Sequence, residues 1–412
     1  MKTVRLLILT ESFYPLGGGV GTYGLALSQS LVPRGVSVRV VTRRQSDHLL
    51  KREVVDGVEI VRLPPAGLGR LGKYLAMFPL ITYLIRSRKE YDIVYVWGLR
   101  ILGVVGVIAA RVLGKPVALR AEQTGEISGT FMWQDRTHRP GLGVTLANVG
   151  IWLRDRILIR ADRFVAISSA IEDEFDQARF PRERLIRIPN AVDLVRFRPN
   201  PSMRGNGRLP LGLPARAFLF LYSGRLHRHK GLLTLLEAWR KVATREKSAH
   251  LVLVGENSPN LGVEDELRRY VTRHLCSDTV TFAGQQSDVL PYLQAADAFV
   301  LPSQREGLSI ALLEAMACEL PAVGTRTSGT VELIRPGENG FLVNIGDVEG
   351  MTRAMLAMLA DRAQARTMGA NARALVEREY GLEVAATRHL ALLAQLKRAD
   401  PGAEAIAAPV EG

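Results

Sequence analysis

Apolar runs of five to eight residues alternate with longer amphipathic stretches along almost the whole chain. In the first half, Val4–Thr10, Ser37–Thr42, Val58–Pro64, Asp92–Gly98, Pro116–Ala121 and Arg163–Ser168 read as strands. Between them, residues 21–35 and 70–89 place apolar side chains at helical spacing. The pattern restarts in the second half with Ala217–Gly224, Ala249–Gly255, Thr279–Gly284, Ala298–Ser303 and Pro321–Thr325. Strand-like runs separated by helical stretches indicate βαβ units and parallel sheets. The expected fold class is therefore α/β, two doubly wound Rossmann-like domains facing across a cleft that the carboxyl ends of both sheets line.

At 412 residues the chain exceeds what one core usually supports, so two domains are expected. Arg198–Arg216, rich in Pro and Gly and without apolar periodicity, reads as the linker. The expected division is residues 1–200, residues 201–382, a helix over 383–398 packing back on the first domain, and a flexible tail over 399–412.

Charge alters this picture in one respect. The net +13 is concentrated in residues 1–200, which carry 30 Lys and Arg against 18 Asp and Glu; the remainder carries 24 against 23. A one-sided basic domain fits an anionic partner such as a membrane surface or a phosphate-bearing acceptor; an ordinary solvated Arg-rich surface is equally compatible. Residues 70–91 mix basic and apolar side chains, as interfacial helices do, although a core-facing helix fits them as well. The pI near 10 raises nucleic acid as a partner, but no recognisable binding module or dense basic run accompanies it, so no nucleic acid is expected. Two cysteines, Cys276 and Cys318, exclude a disulfide framework, and no Cys/His spacing suggests zinc. Neither a secretory signal nor a spanning segment is legible. A cytoplasmic protein is expected, with the inner face of the membrane as a candidate location.

Three stretches carry chemistry. Residues 14–31 place Gly17, Gly18 and Gly19 between the first strand and a helix, where backbone can approach a ligand and a helix N-terminus can meet a phosphate. The order is not GxGxxG, and a plain turn fits it too. Residues 222–239 place Gly224, Arg225 and Lys230 after a strand and before a helix, where two cations can clamp a diphosphate. Solvated loop cations are the alternative. Residues 302–321 place Glu306 in a turn and Glu314 inside an apolar helix that Ser309 can cap. A carboxylate there costs several kcal/mol, roughly, unless something pairs with it, and a nearby Arg is the plain alternative to a ligand.

Residues 224–231 (GRLHRHKG), 251–256 (LVLVGE), 302–325 and 332–343 (ELIRPGENGFLV) together resemble the retaining glycosyltransferases of family 4, the group 1 glycosyl transferases of GT-B fold. Residues 11–42, 161–175 and 188–199 extend the resemblance over most of the chain, and the Glu-x7-Glu spacing of Glu306 and Glu314 is its most specific feature. The resemblance implies a hexosyltransferase that uses a nucleotide-diphosphate sugar, needs no metal or other cofactor, and acts on a glycan or lipid-linked acceptor. It implies a nucleotide-sugar-binding role for residues 201–382 and an acceptor-binding role for residues 1–200. Arg225 and Lys230 match the diphosphate clamp, and Gly18 and Gly19 match a turn that closes over the diphosphate. Glu306 matches the acid that holds the donor sugar, with the backbone of Gly307, Leu308 and Ser309. Glu314 matches the acid that grips the ribose. Many members carry a His after the strand seen here at residues 116–121; this chain has Glu122 at about that position, with Gln123 and Glu126 close by, as a contact to sugar or acceptor. Transfer by the front-face route, in which the leaving phosphate takes the acceptor's proton, needs no protein base there. The quoted residues do not select among UDP, GDP and ADP donors. An epimerase or another nucleotide-sugar enzyme of the same fold is the second reading, and a nucleic-acid-binding basic protein the third.

Overall fold

The computed structural model describes residues 3–16, 18–67, 69–129, 142–258, 262–274 and 276–398. Gly17 and the tail over 399–412 lie outside the described residues. The chain divides into two compact units, one of residues 1–190 with 382–412 and one of Ala191–Gly381.

The first unit holds an eight-stranded sheet. Its strands are β1 (Val4–Thr10), β2 (Val36–Arg43), β3 (Arg52–Val55), β4 (Val58–Leu63), β5 (Ile93–Trp97), β6 (Val117–Ala121), β7 (Arg163–Ala166) and β8 (Leu185–Arg187). They lie in the order β3-β4-β2-β1-β5-β6-β7-β8, parallel except where β3 folds back on β4. The central strands are buried on both faces, which is why β5 and β6 read as continuous apolar runs rather than alternating ones. β3 is an edge strand that alternates half-buried and exposed residues. Its turn is Asp56–Gly57, both at positive φ, the two-residue geometry that suits a hairpin. The helix Leu382–Arg398 belongs to this unit. It packs on the helix Gly18–Leu31, pairs Glu383 with Arg34, and buries His389 against Tyr95.

The second unit holds a six-stranded parallel sheet of β9 (Phe218–Ser223), β10 (Ala249–Val254), β11 (Val280–Gly284), β12 (Ala298–Leu301), β13 (Ala322–Thr325) and β14 (Gly340–Val343). The order is β11-β10-β9-β12-β13-β14. Trp239, on the helix Leu232–Arg245, packs fully buried against Phe220 of β9 in the core of this unit.

The boundary expected after residue 200 falls instead at Asn190/Ala191. Residues 191–200 are tied to the second unit: the Val192 amide donates to the Tyr380 carbonyl at 2.9 Å, and Arg196 pairs with Asp288 at 2.9 Å. Arg198–Arg216 is likewise not a free linker but a packed segment of the same unit. Its Arg208 is buried, donating to the Ala295 and Ala217 carbonyls at 2.9 and 2.6 Å and to Asp297 at 2.7 Å. Pro and Gly there shape two short 3-10 turns, which have no long apolar period to read. Among the described residues no helix is long and apolar enough to cross a membrane.

Candidate active site

In the second sheet, β9 runs to β10 on one side, and β12 lies on its other side. The crevice beyond the carboxyl ends of β9 and β12 is thus a topological switch point, where open α/β sheets bind ligands. The second and third stretches singled out in the sequence both emerge there. Gly224, Arg225 and Lys230 follow β9, and Glu306, Gly307, Leu308 and Ser309 follow β12.

The two loops are joined. Lys230 Nζ donates to Glu306 Oε1 at 2.7 Å, and Ser303 Oγ donates to the same oxygen at 2.6 Å. Glu306 is 10 % exposed at its side chain, so its charge is answered by protein on one oxygen. The loops approach this closely because Gly231, at φ 68°, presses on the residue just past β12: a Cβ at Gly231 would lie 1.9 Å from the Pro302 carbonyl oxygen. Tyr222, buried at the end of β9, donates its hydroxyl to the Arg225 carbonyl at 2.8 Å and holds that turn. Burial, with Glu306 nearby, pushes the Tyr222 phenol well up, against the opposing pull of Arg225. Arg225 is exposed, and its side chain makes no ion pair among the described residues. From behind, the turn after β13 braces the Glu306 loop. Ser328 Oγ donates to the Glu306 carbonyl at 2.8 Å, and Gly329 lies so near that a Cβ would sit 1.9 Å from the Gly307 carbonyl. Ser303, Tyr222, Ser328 and Gly329 were not singled out in the sequence. The Ser-Gly pair in a turn after a strand was a signal for the last two.

Ser309 caps the helix Ile310–Ala317, accepting from the Leu312 amide at 3.3 Å. Glu314 is the fifth residue of that helix, and it is 9 % exposed. Burial pushes its carboxyl up to about 8; Arg196 pulls it down and Asp288 raises it further. Since Arg196 is itself paired with Asp288, neither fully answers an ionised Glu314. At neutral pH the group is a neutral acid.

In the first unit the corresponding switch point lies beyond β1 and β5. Gly18 and Gly19 open the helix that follows β1; both are exposed, and Gly18 sits at φ 57°. Glu122 follows β6, the neighbour of β5, and is held by Arg120. The Arg120 guanidinium is fully buried, donates to Glu122 Oε1 at 2.7 Å, to Asn190 Oδ1 and to the Tyr23 hydroxyl at 3.4 Å, and lies over the rings of Trp97 and Tyr23. Glu126, 4 % exposed, accepts from the Glu122 amide at 3.3 Å. Burial, with Glu122 beside it, pushes the Glu126 carboxyl up to about 7, against the pull of Arg100. Arg120 and Asn190 were not singled out, although a cation inside an apolar strand run was a visible signal. Among the described residues no group of three or more His, Cys, Asp or Glu side chains is placed to hold a metal ion.

Two doubly wound sheets in one chain, each with a switch-point crevice, are the architecture of the GT-B fold. Residues 17–196 match the family model of glycosyltransferase family 4, and residues 207–375 match that of group 1 glycosyl transferases; the chain belongs to this family and is a glycosyltransferase. Over 97 % of its length it is 29 % identical to 99 % of the GDP-mannose-dependent alpha-(1-6)-phosphatidylinositol monomannoside mannosyltransferase of Mycobacterium tuberculosis. Over 90 % it is 25 % identical to 92 % of the N-acetyl-alpha-D-glucosaminyl L-malate synthase of Bacillus anthracis. In fold it is similar to sucrose-phosphate synthase from Thermosynechococcus elongatus, with a TM-score of 0.81 and 23 % identity over 96 % of this chain and 100 % of that one.

Proposed function

We propose that the protein is a retaining hexosyltransferase that takes its sugar from a nucleoside-diphosphate donor and transfers it to a hydroxyl of an acceptor at an anionic membrane surface. The observation that carries the donor half is the junction at the β9/β12 switch point, where Lys230, Glu306 and the exposed Arg225 converge. Arg225 and Lys230 bind the diphosphate, Arg as a fork and Lys as a point charge with two further protons to donate. They stabilise the negative charge that grows on the leaving diphosphate. Glu306 accepts hydrogen bonds from the sugar hydroxyls, beside the backbone of Gly307, Leu308 and Ser309 at a capped helix N-terminus. Glu314 accepts from the ribose hydroxyls. In the first unit, Gly18 and Gly19 present helix-start amides to an anion, and Glu122, oriented by Arg120, accepts from a hydroxyl of the acceptor or sugar. In the front-face route the bond from the anomeric carbon to the leaving phosphate oxygen breaks. The acceptor oxygen bonds to the same face, and its proton passes to that phosphate oxygen.

The acceptor half rests on a face of the first unit. The helices Gly69–Leu75 and Met77–Arg86 expose Leu71, Tyr74, Phe78, Ile81 and Ile85, with Phe78 at 73 % exposure. Met77–Arg86 packs on the helix Ile101–Val112, which packs in turn on Leu142–Leu158, and these add exposed Val112 and Trp152. Lys73, Arg86, Arg88 and Lys89 lie on or next to the same two helices. Apolar side chains rimmed by cations are what an anionic bilayer recognises. The test is transfer from labelled UDP-, GDP- and ADP-hexoses to lipid and soluble glycan acceptors, with the product's anomeric configuration read by NMR. Inversion, or absence of any nucleoside-diphosphate-dependent stabilisation in a thermal-shift screen, overturns the reading.

A further inference from the structure

The amino edge of the second sheet, opposite to the edge that carries Lys230 and Glu306, holds a cavity of about 180 Å³ walled by Arg204, Arg208, Arg216, Arg362 and Arg366. It lies at the start of β9, between the residues that lead into β12 and β13 and the first turn of the helix Arg362–Glu379. Its two acids are Asp297 and Glu319, so the lining carries five positive charges against two negative ones. Asp297 is already answered by Arg208 at 2.7 Å and by the Leu219 amide at 2.8 Å. Arg208 is committed to that framework, and Arg362 lies over the Phe218 ring at 5.5 Å. The side chains of Arg204, Arg216 and Arg366 make no hydrogen bond or ion pair among the described residues. Like charges gathered around one cavity repel. The adjoining helix N-terminus is already capped by Asp361, which accepts from the Gln364 amide at 2.8 Å, so the repulsion among the arginines is what an anion in the cavity relieves.

We propose that this cavity is a second ligand site, separate from the donor site, that binds a phosphate-bearing anion. Guanidinium forks match phosphate oxygens two at a time, and three arginines with no hydrogen-bond or ion-pair partner among the described residues supply more donors than one carboxylate can use. The phosphate comes either from a small soluble anion or from a lipid headgroup. Because the cavity shares no side chain with the β9/β12 crevice, the inference stands independently of the proposed transfer reaction.

The experiment is calorimetric titration of the full chain with inorganic pyrophosphate, ionic strength matched with NaCl, in an Arg225→Ala/Lys230→Ala background that disables the proposed donor clamp. One saturable site is expected there, weakened at least tenfold by adding Arg204→Ala/Arg366→Ala. In the otherwise native chain, Arg204→Ala/Arg366→Ala leaves binding of the nucleoside diphosphate unchanged. A parallel flotation assay on phosphatidic-acid vesicles, in a Phe78→Ser/Ile81→Ser background that removes the apolar face of the first unit, separates the sources: binding lost on adding Arg204→Ala/Arg366→Ala assigns the lipid headgroup, and flotation unchanged by that addition with lost titration assigns the soluble anion. Absence of a saturable site in the clamp-disabled background, or the same affinity after Arg204→Ala/Arg366→Ala, overturns the proposal. Arg366→Glu, at an exposed helical position, carries the test if the double variant does not fold.

Discussion

Replacing Glu314 by Gln is expected to stabilise the protein while weakening its hold on the donor. The folded carboxyl has a pKa of about 8, against 4.5 in its ordinary state. The sign follows from proton binding: between these values the unfolded chain has released the proton that the folded chain keeps, so stability falls as pH rises from about 4.5 to 8. At pH 7.5 that loss has reached roughly 4 kcal/mol, at 1.36 kcal/mol per pK unit. Glutamine is neutral at every pH and has nearly the same shape. Its buried amide offsets up to about 2 kcal/mol of the gain, as an imperfectly satisfied polar group. A net gain of about 2 kcal/mol corresponds to a rise in Tm of roughly 4–8 °C for a unit of this size. Calorimetry or urea melts of both proteins between pH 5 and pH 8.5 measure it. The wild type is expected to lose stability across that range relative to Glu314→Gln, and the two curves cross at about pH 6, where the loss equals the roughly 2 kcal/mol that the buried amide costs. On the proposed function, donor affinity of the wild type rises with pH toward 8, and that of Glu314→Gln does not. Equal pH slopes of stability in the two proteins would refute the reasoning, because the buried acid would then not be titrating where its surroundings place it.

Three further outcomes follow from other parts of the molecule. Lys230→Ala removes the ammonium that meets Glu306 at 2.7 Å and should lower kcat by about 10²-fold or more, the scale of one lost transition-state contact; near-normal turnover with a labelled nucleotide sugar sinks the proposed clamp. Arg120→Met leaves Glu122 and Asn190 without their buried donor and should cost about 3–5 kcal/mol in urea unfolding. A loss below about 1 kcal/mol would show that the guanidinium does not organise that site. Phe78→Ser/Ile81→Ser removes two exposed apolar side chains and should weaken partition onto phosphatidylglycerol vesicles at least tenfold, since each transfer is worth about 1.5–3 kcal/mol when complete; unchanged flotation rules this face out.

The strand pattern was legible because central parallel strands are buried on both faces and so appear as uninterrupted apolar runs. Every strand expected from the sequence is present. The three that were not expected are short or peripheral. β8 has only three residues, β14 begins with Gly340, and β3 is an edge strand without an apolar face. The Asp56–Gly57 turn was nonetheless a readable hairpin signal between Arg52–Val55 and Val58–Leu63. Arg198–Arg216 misled for a different reason: Pro and Gly mark irregular backbone, not absence of packing, and Arg208 anchors the segment through carbonyls that no spacing rule reveals.

The sequence alone determined the class of the fold, the doubling of the αβ pattern and the residue types at the candidate site, because periodicity and local loop chemistry are properties of neighbours along the chain. Which residues meet was decided only by the tertiary structure. Lys230 and Glu306 are 76 positions apart and touch because β9 and β12 are adjacent in the sheet. Arg120 and Asn190 are 70 apart and meet at the carboxyl edge of the other sheet. The five arginines of the second cavity come from two stretches of chain, residues 204–216 and 362–366. Strand order brings each of these sets together, and strand order is set by long-range pairing that no local pattern encodes. The same holds for the acidity of Glu314. Its position in an apolar helix was visible in the chain, but the rise to about 8 depends on how fully the packed unit removes it from water.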